Sequence, residues 1–305
     1  HCKNKTWRFS PNQYTVIGTA NKNISSTYNG YIDLFGWGTS GWNSGAKAYM
    51  PYSTNSCNAD GGYDNYWPGG KSNQSLVGTY AKADWGVYNK IGSYAAGVWR
   101  LLTYAEWKYL LNTRANASSK YACATVAGKK GLIILPDNWT LPSGLSFTAT
   151  RANYTTNTYN TTNWTKMQNA GAVFLPSTGY RIGTSMYQAE GARYWSSTCV
   201  YSGNGRLLGW DGNGGPSIER FNLTCYGCAV RLVRNLTWTW ASDYSTASLK
   251  IGNTSVSGTV TSSVTKAATC TATGTIKYTA TATFEGKTFT DTKTVTIAAL
   301  GHASV

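Results

Sequence analysis

Histidine is nearly absent from this chain: two in 305 residues, His1 and His302, near opposite ends. A nucleophilic hydrolase needs a base, most often His, beside its nucleophile, and neither terminal His is placed for that. Acidic residues are also scarce, 12 against 27 basic, for a net charge of +15. Carboxylate acid–base work would fall to Asp33, Asp60, Asp64, Asp84, Glu106, Asp137, Glu190, Asp211 or Glu219, and no two of these stand in a recognisable catalytic motif. The chain therefore reads as a non-enzyme. No apolar run is long enough to span a membrane. Seven Cys at positions 2, 57, 123, 199, 225, 228 and 270 are too few for a disulfide-dense scaffold, and an odd number leaves at least one unpaired within the chain. Basic residues are numerous but scattered, with Lys129-Lys130 the one compact run. Without a Lys/Arg stripe, a nucleic-acid partner is not expected.

What the chain has instead is aromatic: 22 Tyr and 13 Trp, with charged residues at only 13%. Its surface must then be Asn, Thr, Ser, Gly and Tyr, a composition that suits a secreted or displayed protein and does not suit disorder. Asn-x-Ser/Thr sequons, as at Asn23, Asn138 and Asn222, carry little weight in a chain this rich in Asn and Thr. The opening "HCKNKTWRFS" starts almost in mid-strand, so residues ahead of His1, with any export signal or lipid anchor, are expected to have been removed.

Two regions differ in composition. Residues 1–235 hold nearly all the Trp and Tyr, while 236–305 alternate Thr and Val with apolar residues, as in "TIKYTATATF" and "TDTKTVTI". That period of two predicts strands, and Glu285-Gly286 between two such runs predicts a hairpin. In the first region Thr103 and Glu106 form a capping-box spacing, predicting a helix of about three turns from Tyr104 with Trp107, Leu110 and Leu111 on one face. A second helix is predicted over "NWTKMQNAG", with Asn163 as N-cap and Gly171 as C-cap. "GLIILP", "AVFLP" and "AVRLVR" read as short strands, the first two ended by Pro136 and Pro176. The Gly/Asn/Ser/Tyr-rich stretch beginning "WNSGAKAYMPYS" reads as a long functional or self-ordered loop.

"YIDLFGWGTSG", "DWGVYNKI", "VWRLLTYAEWKYLLNTR", "GLIILPDNW", "NAGAVFLPSTGYR", "YWSST" and "AVRLVR" follow one another in this order. Together they resemble the C-type-lectin-like domain of surface proteins from gut Bacteroidetes and their phages, a family related to Fibrobacter major paralogous domains and to the formylglycine-generating enzyme fold. The tail, with "WTWASDYSTASLKI" and "TCTATGTIKYTATATFEGKTFTDTKTVTI", resembles bacterial Ig-like repeats. The resemblance implies an α+β fold: a C-type-lectin-like domain over 1–235 with two helices and short mixed strands, then an all-β Ig-like sandwich over 236–305. Some members of the first family are variable proteins of diversity-generating retroelements, in which adenine-specific mutagenesis rewrites codons near the end of the domain. The matching segment here is the idiosyncratic middle between "YWSST" and "AVRLVR". Asn codons mutated at adenines yield Cys, Tyr, Ser, Gly, Asp, Arg, Leu and Phe but not Trp or Glu, which makes Trp210 and Glu219 scaffold candidates.

The expected ligand-binding residues are Cys199, Tyr201, Asn204, Arg206, Trp210, Asp211, Asn213, Arg220, Phe221, Asn222, Cys225 and Tyr226. Tyr, Trp and Arg supply contact area and hydrogen bonds at low entropic cost; for Trp210 and Phe221 the competing reading is a core anchor. Cys225 and Cys228 form a Cys-x-x-Cys, but no second pair or His completes a zinc site. They are read as two small side chains on a permissive surface, with Cys225 unpaired and reactive. "GWDGNGG" has too few carboxylates for calcium. The expectation is an extracellular protein on a bacterial or virion surface, docking a protein or glycan receptor without metal or cofactor. The rivals are a fixed-specificity glycan adhesin, a structural fibre or capsid decoration protein, and a thiol oxidase.

Overall fold

The computed structural model describes residues 1–25, 27–46, 63–187, 190–201, 203–212, 215–252 and 254–301. The chain divides into two compact units, His1–Val233 and Arg234–Val305. Strands account for 40% of the described residues and helices for 16%. The expected α+β arrangement of a C-type-lectin-like domain with an Ig-like sandwich is therefore corrected to a mostly β chain with short helices. The physical reason lies in how the predicted helices end and how the strands pair.

In the first unit a ribbon of β1 (Cys2–Lys3) and β2 (Thr6–Trp7) precedes one-turn α1 (Trp85–Tyr88) and β3 (Trp99–Leu101). Asp84 caps α1 through Gly86 N at 2.9 Å and also accepts from Leu101 N at 2.6 Å, tying the turn to β3. The predicted capping box opens α2 (Tyr104–Lys108), and Arg100 clamps the Glu106 carboxylate at 2.6 and 2.8 Å. The helix does not run on as three α turns: it widens into a π turn over Tyr109–Thr113 and stops at Arg114, whose backbone is extended. Strands β4 (Tyr121–Val126) and β5 (Lys129–Ile134) form a hairpin turned by Ala127 and Gly128, both at positive φ.

Next come β6 (Thr158–Tyr159), α3 (Thr161–Asn169) and β7 (Val173–Pro176), which ends at Pro176 as expected. The cap of α3 is Asn160, whose side chain accepts from Asn163 N at 2.8 Å, not Asn163 itself; Ala170, not Gly171, is the C-cap. Buried Trp164 and Met167 of α3 pack with Ala124, Ile133 and Phe174 of the sheet ordered β6-β4-β5-β7. A hairpin of β8 (Tyr180–Ile182) and β9 (Ser185–Tyr187) leads to the antiparallel sheet β10 (Ala192–Tyr201), β11 (Asn204–Trp210) and β12 (Ser217–Leu223). Of "AVRLVR", only β13 (Leu232–Arg234) is a strand, paired with β3. Two indoles lock this sheet to the N-terminal loops: Trp195 Nε1 donates to Phe35 O at 2.8 Å and Trp37 Nε1 to Ser196 O at 2.9 Å. Gly205 permits it, since a Cβ there would stand 3.0 Å from the Trp195 ring and 3.1 Å from that of Trp37.

The second unit contains β14 (Leu236–Trp240), β15 (Ala247–Ile251), β16 (Thr254–Lys266), β17 (Gly274–Phe284) and β18 (Lys287–Ile297), each antiparallel to the next in sequence. This is a meander, not the expected sandwich. The long β16 serves β15 with residues 254–258 and β17 with 259–266. Thr at every second position leaves a thin apolar face: Leu249, Ile251 and Ala282 are buried, with Trp238, Val256, Phe284 and Phe289 packed against them. The predicted hairpin is present, with Glu285 at φ 48° and Gly286 at φ 72°.

Candidate functional site

The segment expected to bind ligand forms the β10–β11–β12 sheet, and its residues go to three places. Arg206 stands opposite Phe221 across the β11–β12 ladder. Paired residues share a sheet face, and their chain neighbours point to the other. Arg206, Glu219 and Phe221 therefore lie on one face, and Arg220 and Asn222 on the opposite one.

On the first face Tyr201 and Phe221 meet edge to face, ring centres 5.2 Å apart at 67°, and both remain exposed, at 47% and 43%. Beside them the Arg206 guanidinium lies 4.5 Å over the Tyr104 ring. Glu219 joins the two, accepting from Tyr104 Oη at 2.6 Å and from Arg206 Nη1 at 2.9 Å. The Tyr104 hydroxyl, with Arg206, holds the Glu219 carboxyl below its ordinary range. The carboxylate so placed fixes the ring and the guanidinium in one arrangement, pre-ordering side chains that would otherwise lose rotamer entropy on binding. Tyr104 enters through the first residue of α2, whose N–H donates to Thr198 Oγ1 at 3.0 Å. In the sequence its position beside the capping Thr103 marks a helix start and nothing more.

On the second face Asp211 accepts from Arg193 Nη2 at 2.6 Å and from Arg220 Nη1 at 2.7 Å. Burial would raise its pKa, but the two guanidinium groups outweigh that and keep it low. Tyr226 stacks on Tyr180, which stacks on Tyr187, with ring centres 6.0 and 5.5 Å apart. Tyr180 and Tyr187 belong to β8 and β9, which the sequence reading did not single out.

The remainder turn inward or lie elsewhere. Trp210 is fully buried in the main core beside Tyr194, so it is an anchor. Asn204 and Cys225 are also buried, and Cys199 is half-buried, its N–H donating to Ser75 Oγ at 3.0 Å. Asn213 lies outside the described residues, as do His302 and Asp60. The surface reading of the Cys-x-x-Cys is corrected: Cys225 is disulfide-bonded and hence not an unpaired reactive thiol. Cys228 is buried under a backbone bridge to Phe35, and burial pushes its thiol up to about 12. Both side chains are buried, Cys225 beside Tyr66 and Cys228 in the cluster of Phe35, Trp37 and Trp195.

Glu219 is held low by the Tyr104 hydroxyl and Arg206, Asp211 is held low by Arg193 and Arg220, and burial holds the Cys228 thiol high. Asp84, raised to about 7 by burial, sits at the α1 cap away from both faces. Among the described residues no group of three or more His, Cys, Asp or Glu is placed to hold a metal ion, and no helix is long and apolar enough to cross a membrane. No family model, curated protein or solved structure matches the chain.

Proposed function

We propose that the chain is a displayed binding protein that docks a protein or glycan receptor on a cell surface, in attachment of a bacterium or virion. The observation that carries this reading is the exposed Tyr201–Phe221 pair beside the Arg206–Glu219–Tyr104 triad. Exposed aromatic and Arg side chains, rigidly held, are the residue types that dominate interface energetics. Recognition is non-covalent, requires no metal or cofactor, and uses the first face of the sheet. The segment's composition further supports diversification of its exposed positions by a retroelement. Trp210 and Glu219, which mutated Asn codons do not yield, act as core anchor and clamp.

The test is binding of purified chain to a glycan array and to panels of gut bacterial cells. Tyr201→Ala with Phe221→Ala is expected to weaken the strongest interaction by about 30-fold or more. Arg220→Ala, on the opposite face, is expected to change it by less than about threefold. Loss through Arg220 alone, with the double variant binding normally, overturns the assignment of the face. For diversification, a near-copy of the codons for residues 195–234 beside a reverse transcriptase gene is expected in the adjoining DNA; its absence removes that part of the reading.

A further inference from the structure

The first unit carries a second feature, remote in role from the sheet face: a half-open pocket of about 440 Å³, within the size range of small-molecule sites. Aromatic side chains, with Trp7, Phe35, Trp85, Trp99 and Phe174 among them, make up much of its wall, beside polar ones such as Asn12, Gln13 and Gln168. One side is the chain segment Val230–Leu232 that leads into β13.

Against these aromatic rings the fold brings an arginine it does not neutralise. Arg231 lines the cavity and makes no salt bridge with any described carboxylate. Burial lowers its pKa, and the group that acts against this is the Tyr194 hydroxyl, not an acid. That hydroxyl is itself engaged, donating to Pro176 O at 2.8 Å. The one carboxylate in the walls, Asp33, is occupied: it accepts from Ile17 N and Asn21 Nδ2, each at 2.8 Å, and stands 3.9 Å from His1 Nε2. The other arginine, Arg8, is stacked 3.7 Å over Tyr31. Two indoles of the wall, Trp7 and Trp85, bury N–H groups that meet no acceptor. A guanidinium does not shed its proton in a protein, so it stays charged where burial is costly. Native proteins rarely leave buried donors unanswered.

We infer that this cavity is a binding site for a carboxylate carried on an apolar body, with the carboxylate received by Arg231. A planar guanidinium matches a carboxylate two bonds at a time, and the aromatic walls take the apolar remainder. The carboxylate has two possible sources: a free aryl or fatty acid, or an acidic side chain on an extended, otherwise apolar strand lying along Val230–Leu232.

Calorimetric titration of the whole chain distinguishes them. The probes are 4-phenylbutyrate and octanoate, each against its neutral amide, and an alternating Val/Thr octapeptide with a central Glu against its Gln counterpart. At least one acid is expected to bind about tenfold or more tighter than its neutral partner, as for loss of a charge-assisted pair. In Arg231→Met that preference should shrink to within about twofold, and Arg231→Lys should restore part of it. Preference confined to the small acids assigns a free ligand; preference confined to the peptide assigns a strand. Equal binding of acid and neutral forms, or no binding by any probe, overturns the inference. The acid–neutral comparison on the unaltered chain does not depend on any variant folding.

Discussion

The two units bury apolar surface by different means. His1–Val233 takes six whole indoles out of water: Trp37, Trp85, Trp107, Trp164, Trp195 and Trp210. Each removes about 150–250 Å², which at about 25 cal/mol per Å² is about 4–6 kcal/mol of transfer free energy. In Arg234–Val305 the fully buried apolar side chains are small or aliphatic: Ala247, Leu249, Ile251, Ala280 and Ala282. The first unit can therefore carry long irregular connections, because its indoles reach across loops and two of them, Trp37 and Trp195, pin those loops by their N–H groups. The second depends on a ladder of paired strands, from Leu236↔Ile251 to Phe284↔Lys287, with one register shift between Val264 and Lys266.

If that contrast holds, the largest effect comes from removing an indole that both packs and pins. Trp195→Ala is expected to destabilise the first unit by about 3–5 kcal/mol, since it opens a void beside Trp37 and removes one of the two hydrogen bonds that Phe35 O accepts, leaving the one from Cys228 N. Urea unfolding followed by near-UV circular dichroism measures it. Leu249→Ala in the second unit is expected to cost about 2–3 kcal/mol, and a larger loss there than for Trp195 would erase the distinction.

A further effect follows from Asp84, another pin of the first unit. Burial raises its pKa to about 7, above its ordinary value, despite hydrogen bonds from Leu101 N and Gly86 N that work the other way. Between about pH 4 and 7 the unfolded chain has lost this proton while the folded chain keeps it, so stability falls as pH rises through that window and levels off above it. The loss is on the order of 4 kcal/mol. Thermal unfolding from pH 4 to 8 should show a declining melting temperature that Asp84→Asn flattens. The same slope in Asp84→Asn as in the parent chain would assign the pH dependence to other groups.

What was legible in the sequence was local. The capping box needs only Thr103 and Glu106 at the right spacing, and the Glu285-Gly286 turn only two adjacent residues that accept positive φ; both are present. One step further out, the reading slipped: Asn160 and Asn163 are both competent caps three residues apart, and the choice fell to the backbone around them. The Ala127-Gly128 hairpin uses the same turn chemistry as Glu285-Gly286, between Val126 and Lys129, yet the alternating pattern that flags the second turn is missing around it. The candidate site was legible as a segment and not as a surface. Which residues face outward depends on register, and the β10–β11 and β11–β12 ladders shift between Trp195 and Cys199 and between Leu207 and Gly209. Arg206 pairs with Phe221 and Leu207 with Arg220, so the two arginines point to opposite faces although both looked equally exposed in the chain. The fate of Cys225 and Cys228 is likewise set by tertiary contacts that spacing does not encode.

The smallest expected effect tests the ladder side of the comparison. Gly286 stands at φ 72°, the second residue of the two that turn β17 into β18, and a Cβ there would meet no atom within 4 Å. Gly286→Ala thus adds backbone strain without a clash, at a cost of about 1 kcal/mol. Because Phe284 and Phe289 flank the turn and belong to the thin core of the second unit, that cost should appear in full in its unfolding. The equivalent change in the first unit, Gly128→Ala, also sits at positive φ in open space, at 75°. Its cost should be similar in energy, yet it should leave the aromatic core ordered by near-UV circular dichroism. If Gly286→Ala proves neutral while Gly128→Ala disrupts the aromatic signal, the turns matter more to the indole-pinned unit than to the ladder, and the contrast drawn between them is reversed.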